Sequence, residues 1–160
     1  MFESPIICPP ARVESEWIDY NGHLNMAFYN LIFDRAVDAV FNTLDIGAAY
    51  VKREQASCFT LEAHVCYLNE VAEGDLLSIT FQLLDYDQKR MHFYQEMYHA
   101  DAGYLAATSE QLSMHVSMES RRSAPYPDRV LGSLADMMNA HRNLPRPERA
   151  GRIMAIPHKV

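Results

Sequence analysis

Between residues 26 and 45, apolar side chains recur at helical spacing. Phe28, Leu31, Ile32, Ala36, Ala39 and Val40 form one row, and Tyr29, Phe33, Val37 and Phe41 form a second beside it. Only Asn30, Asp34, Asp38 and Asn42 make a polar row. A helix apolar over most of its circumference cannot hide two adjacent faces against one neighbouring helix, so the pattern requires something that wraps it. The wrapper follows in the chain. Residues 58–68 alternate, with Phe59, Leu61, Ala63, Val65 and Tyr67 on one face and Thr60, Glu62, His64 and Cys66 on the other, which predicts a strand with one buried face. After the turn signal AEGD at residues 72–75, Leu77, Ile79, Phe81 and Leu83 alternate with Ser78, Thr80 and Gln82. DYDQKR makes the next turn, an aromatic-rich strand is expected over residues 91–100, and after DAG a last strand is expected within residues 104–118. A leading strand is expected within residues 11–18. The predicted order is one strand, a long helix lying across the sheet, and four antiparallel strands.

PYPDRV then opens a final helix with Pro127 near its first turn, and Val130, Leu131, Leu134, Met137, Met138 and His141 keep helical spacing until Pro145 and Pro147 stop it. The tail RPERAGRIMAIPHKV has no clear period and is expected to order only by docking on another surface.

The chain of 160 residues is long enough for one self-sufficient core and shows no internal repeat, so one domain over residues 1–160 is expected, with the C-terminal helix and tail in residues 126–160. The net charge of −7 and the lack of any run of lysine or arginine argue against a nucleic-acid partner. No stretch is apolar for long enough to cross a bilayer, and no basic segment followed by a long apolar run opens the chain, so a cytoplasmic location is expected. Cys8, Cys58 and Cys66 are odd in number and form no CxxC pair, which points to buried free thiols. His64 with Cys66, and Asp19 with His23, each lack a third ligand, so neither metal nor cofactor is expected. GxSxG, GxGxxG, P-loop and HExxH motifs are absent.

The densest chemistry lies in WIDYNGHLNMAFYN at residues 17–30, where the long helix begins. Asn25 is placed to cap that helix, and the first-turn amides at Met26 and Ala27 carry the positive end of the helix dipole. An oxyanion fits there. Asp19, a few residues upstream, can attack a carbonyl or draw a proton from water beside the same amides, a combination suited to acyl transfer. Asp and Asn before a helix more often serve only as turn and cap residues, so the residues alone leave both readings open.

The spacing D-x-x-G-H-x-N at residues 19–25, the aromatic-rich helix after it and TLEAHVCYLNEVAEGD at residues 60–75 resemble the hot-dog thioesterases of the 4-hydroxybenzoyl-CoA thioesterase type, over residues 13–118. The resemblance implies an α+β hot-dog fold with a long central helix, a curved antiparallel sheet of about five strands and a hairpin joining the second and third strands. It implies a homodimer or homotetramer with active sites at subunit interfaces, acting on a small acyl-CoA. Asp19 would be nucleophile or general base, Met26 or Ala27 the oxyanion donor, and His23 and Asn25 orienting residues. Glu62 is a second candidate carboxylate, because other hot-dog branches place the acting acid on a different element; alone, it reads as an ordinary exposed strand residue. Coenzyme A contacts are not assigned, although Arg121 and Arg122 could meet its phosphates.

EWIDYNGHLN at residues 16–25 and LPRPERAGRIMAIP at residues 144–157 are similar to betainyl-CoA thioesterases of carnitine breakdown. Trp17, Tyr20 and Tyr29 around Asp19 would suit a quaternary ammonium group, or would simply build the core at the helix entrance. The competing functions are a non-catalytic acyl-CoA-binding module and a hot-dog hydratase or dehydratase.

Overall fold

The computed structural model of the chain describes residues 2–156, so residues 157–160 of the predicted tail lie outside the described residues. The helix read from the apolar rows is α1 (Met26–Thr43); Tyr29, Ile32, Phe33, Ala36, Val37 and Val40 are buried, and the polar row is exposed. The strands are β1 (Ile6–Arg12), β2 (Ala56–Tyr67), β3 (Leu76–Tyr86), β4 (Arg90–His99) and β5 (Leu105–Ser117). They form one antiparallel sheet in the order β1-β3-β4-β5-β2, a curved sheet around α1 in the α+β hot-dog arrangement. Leu77, Ile79, Phe81 and Leu83 of β3 and Met91, Phe93 and Met97 of β4 are buried. Among them Gln95 donates from Nε2 to Phe33 O at 3.1 Å, a buried polar tie between sheet and helix that satisfies its own amide. The C-terminal helix is α3 (Asp128–His141), with Pro127 at its N-cap.

The structure corrects four expectations. The leading strand occupies residues 6–12 rather than lying within 11–18: Cys8 is buried, and the register irregularity between Cys8 and Ala11 holds Pro9 and Pro10 on an edge strand, where a missing N–H is tolerated. Residues 15–17 form a turn of 3-10 helix instead. A short helix, α2 (Ala48–Glu54), has no counterpart in the pattern, because seven residues are too few to display a period. No hairpin joins β2 to β3. β2 pairs with β5 and β3 with β1, so residues 68–75 cross over an end of the sheet.

β2 also lacks one continuous buried face. A bulge between Thr60 and Glu62 reverses the phase of the strand, so Thr60, paired with Ser113, shares a face with Ala63, paired with Gln111, while Phe59 turns to the other. As the outer strand of the sheet, β2 has one edge without a neighbour, and Phe59 and Leu61 remain 39% and 49% exposed.

At the opposite side of the sheet β1 ends at Ile6 across from Phe81, leaving the edge of β3 bare beyond that point. There Leu83 N donates to His141 Nδ1 at 2.9 Å, and His141 Nε2 donates to Glu3 O at 3.0 Å. This pair of bonds needs the neutral imidazole with its proton on Nε2. Burial lowers the His141 pKa from its ordinary value. The unfolded chain therefore takes up the proton first as pH falls, so the stability from this edge cap is present above about pH 6.5 and is lost below it. Urea midpoints should fall between about pH 7.5 and about pH 5.5, and His141→Gln should flatten that fall, since an amide offers acceptor and donor without titrating there.

Candidate active site

The residues before α1 form a small hairpin. Asp19 N donates to His23 O at 3.1 Å, Gly22 N donates to Asp19 O at 3.0 Å, and Ile18 bridges to Leu24. Gly22 sits at φ +84°, the left-handed conformation that closes such a turn and that a side chain would strain. Asp19 Oδ1 accepts from Asn21 N at 2.7 Å, which fixes the carboxyl group, and Oδ2 has no partner among the described residues. Asn25 N donates to Trp17 O at 2.9 Å, so the hairpin delivers Asn25 to the start of α1 in the extended conformation an N-cap needs.

Asn25 Oδ1 accepts from Ala27 N at 2.9 Å. Of the two amides considered from the sequence, Ala27 is thus occupied by the cap, and Met26 N has no partner among the described residues. No acidic side chain sits in the first turn of α1 to offset the positive helix end. Asp19 and Met26 line one cleft of about 370 Å³, shared with His23, Leu24, Tyr29, Tyr67, Leu68, Asn69 and Glu70.

The crossover from β2 to β3 forms the other wall. Leu24 N donates to Val71 O at 2.9 Å, which joins the hairpin to this segment, and Val71 itself is buried. Leu68 N and Asn69 N both donate to Ala106 O, at 2.9 and 3.1 Å; Asn69 Nδ2 donates to Leu105 O at 2.8 Å, and Tyr104 OH donates to Glu70 O at 2.9 Å. Tyr29 and Tyr67 meet edge to face with centroids 5.2 Å apart. Burial pushes the Tyr29 phenol up to about 12, so it stays protonated and donates to Asn69 O at 3.4 Å. His23 Nδ1 lies 3.2 Å from Leu24 O, a bond that the ring makes as donor, and its Nε2 lies 4.0 Å from Glu70 Oε1.

The structure therefore brings together Asp19, His23, Met26 and Tyr29, with Asn25 holding the helix start behind them. Trp17 and Tyr20 are elsewhere. The Trp17 ring stacks on Phe28 at 5.6 Å, lies under the Arg35 guanidinium at 5.5 Å and is 6% exposed; it borders a separate groove with Pro9 and Pro10. Tyr20 projects from the hairpin turn at 97% exposure. Glu62 lies five residues before Tyr67 on β2, roughly 17 Å along the strand. It borders a different cleft with His92 and Glu110, which are hydrogen-bonded at 2.7 Å. Arg121 and Arg122 follow β5 at the end of that strand remote from Leu105. The sequence reading missed Tyr67, Leu68, Asn69 and Glu70 as wall residues. They lie inside TLEAHVCYLNEVAEGD, but a hairpin reading would have carried them away from α1.

Residues 13–134 match the model of the thioesterase-like superfamily. The betainyl-CoA thioesterase of Pseudomonas aeruginosa is 39% identical over 156 residues, covering 98% of this chain and 94% of that protein. An L-carnitine dehydrogenase/betainyl-CoA thioesterase of Rhizobium meliloti is 34% identical over 92% of this chain, which spans only 30% of that longer protein. Among solved structures, a Staphylococcus aureus protein in complex with CoA superposes with a TM-score of 0.90 at 30% identity, over 98% of both chains.

Removing the cap tests how the site is held. Asn25→Ala should cost about 1 kcal/mol in urea unfolding, the usual worth of an N-cap side chain. Asn25→Ser, which restores an acceptor, should recover most of that loss.

Proposed function

The chain belongs to the thioesterase-like superfamily, and from that premise we propose that it hydrolyses betainyl-CoA to betaine and coenzyme A. It is a thioester hydrolase. The observation that carries the mechanism is that one cleft is lined both by Asp19 and by Met26, whose amide at the start of α1 has no partner among the described residues. With the thioester carbonyl oxygen at Met26 N, the charge that develops on attack meets a fixed donor and the positive helix end. Asp19 acts on the carbonyl carbon directly, giving an acyl-aspartyl anhydride that water then opens, or takes the proton from a water molecule that attacks. Either route passes through an oxyanion at Met26 N and expels the coenzyme A thiolate, a leaving group that needs no strong acid. His23 and Asn25 orient the hairpin and the helix start and take no part in bond making.

The assembly proposed is at least a dimer. The free edge of β2 and the exposed Phe59 and Leu61 beside it suit pairing with a second copy, which would remove the edge. Among the described residues the walls of the Asp19 cleft carry no lysine or arginine, although coenzyme A brings phosphates. Antiparallel pairing of two β2 strands about a twofold axis sets the Ala56 end of one against the Tyr67 end of the other. The segment after β5 is tied to that Ala56 end by Met118 N donating to Gln55 O, which supports Arg121 and Arg122 as phosphate contacts to the neighbouring site.

Asp19→Asn should fold as the wild type does and lower turnover by about two orders of magnitude or more, followed as free thiol released from betainyl-CoA. Retention of near wild-type turnover would move the search to Glu62→Gln. In light scattering the wild type should be at least dimeric at micromolar concentration, and Leu61→Asp should shift it toward monomer.

A further inference from the structure

We infer that Tyr67 and Glu70, at the start of the β2–β3 crossover, are the residues that select a trimethylammonium group in the acyl portion of the substrate. This assignment rests on the betainyl-CoA reading and goes beyond it by naming what reads the charge. A quaternary ammonium ion has no N–H to donate, so it is recognised by an aromatic face and by negative charge. The aromatic residues that flank Asp19 in sequence do not supply that face. Trp17 is stacked on Phe28 and already has the Arg35 guanidinium over its ring, Tyr20 stands in solvent, and Tyr29 is buried against Tyr67. Tyr67 is the aromatic residue of the cleft with accessible surface, at 44% exposure. Its hydroxyl donates to Met26 O at 3.3 Å, which fixes the ring next to the residue whose amide meets the thioester oxygen.

That adjacency matches the substrate. In a betainyl group only one methylene separates the nitrogen from the thioester carbonyl, so the group that reads the cation must sit beside the oxyanion site. The same closeness creates an electrostatic problem, because the positive end of α1 repels the ammonium while it attracts the oxyanion. Negative charge in the cleft offsets that repulsion, and two carboxylates line it, Asp19 and Glu70. Asp19 is committed to the acyl carbon. The Glu70 backbone is pinned by the bond from Tyr104 OH, and its side chain, 81% exposed, has only His23 within 4.0 Å as a possible ionic partner among the described residues. Among the described residues no lysine or arginine lines the walls to compete for that carboxylate.

The test compares betainyl-CoA with tert-butylacetyl-CoA, which has the same shape with carbon in place of the charged nitrogen. The readout is the ratio of their kcat/KM values. The wild type should favour betainyl-CoA, and Glu70→Gln and Tyr67→Leu should each lower the ratio about fivefold, mainly through the KM for betainyl-CoA. Trp17→Phe should leave the ratio as in the wild type. Glu70→Gln alters an exposed side chain and keeps the test valid should Tyr67→Leu fold poorly. A ratio unchanged in Glu70→Gln and in folded Tyr67→Leu, with both substrates still hydrolysed, would overturn this assignment and leave the hydrolase reading intact. Wild-type enzyme that prefers the neutral analogue overturns the betainyl-CoA reading and this assignment with it, and absence of any thiol release overturns hydrolysis itself.

Discussion

The hydrogen bond from Leu24 N to Val71 O joins two segments that the chain separates by nearly fifty residues, and the cleft exists because of it. One side of that bond is the hairpin that presents Asp19 and delivers Asn25 to the start of α1; the other is the crossover that presents Tyr67, Asn69 and Glu70. Each segment is rigid for its own reasons. The hairpin is closed by Gly22 at positive φ and by the Asp19 side chain, and the crossover is stitched to β5 by three hydrogen bonds from Leu68 and Asn69 and to Tyr104, just before β5, by a fourth. A loop held in this way fixes the groups proposed to react before substrate arrives, and that is the condition under which a single amide and a single carboxylate act strongly.

Charge of both signs meets in the cleft. The first turn of α1 offers an amide and a positive dipole end without an acidic residue to cancel it; the walls around it carry two carboxylates, Asp19 and Glu70, and no lysine or arginine among the described residues. An acyl group that places an oxyanion at the amide and a cation near the carboxylates uses both, whereas a neutral acyl group uses one. On the proposed assignments, specificity and catalysis act at adjoining positions of the cleft, because Tyr67 OH is bonded to Met26 O.

The far end of β2 and β5 does different work. Tyr50 OH lies 2.8 Å from His115 Nε2, His115 Nδ1 lies 2.9 Å from Ala124 O, and Tyr126 packs on the same imidazole. This buried group fastens α2 and the approach to α3 onto the sheet. Burial raises the Cys58 thiol there to about 11, so it remains a neutral packing group instead of a nucleophile. Outside, Asp45 accepts from both Arg53 and Arg129, at 2.7 and 2.6 Å, a clamp between α2 and α3 with little energetic weight in solvent.

Periodicity in the sequence was enough to determine α1, β3, the later half of β5 and α3, because each buries a face with a regular repeat, while β4 was legible from its aromatic content between two turn signals. The helix-start chemistry was legible as well, since the Asp19 turn, Gly22 and the Asn25 cap act through bonds to residues two to four positions away, and the bond from Asn25 N to Trp17 O spans only eight. What lay beyond the sequence was everything that depends on which strand neighbours which. The bulge at Leu61 reverses a face that strict alternation assigned wrongly, the short α2 is held by contacts with β5, and Trp17 turns to Phe28 and Arg35 although it stands two residues from Asp19. The second wall of the cleft was decided last of all. Whether residues 68–75 make a hairpin or a crossover is set by β2 pairing with β5 and β3 with β1, a choice between long-range hydrogen-bond ladders that local side-chain preferences do not encode.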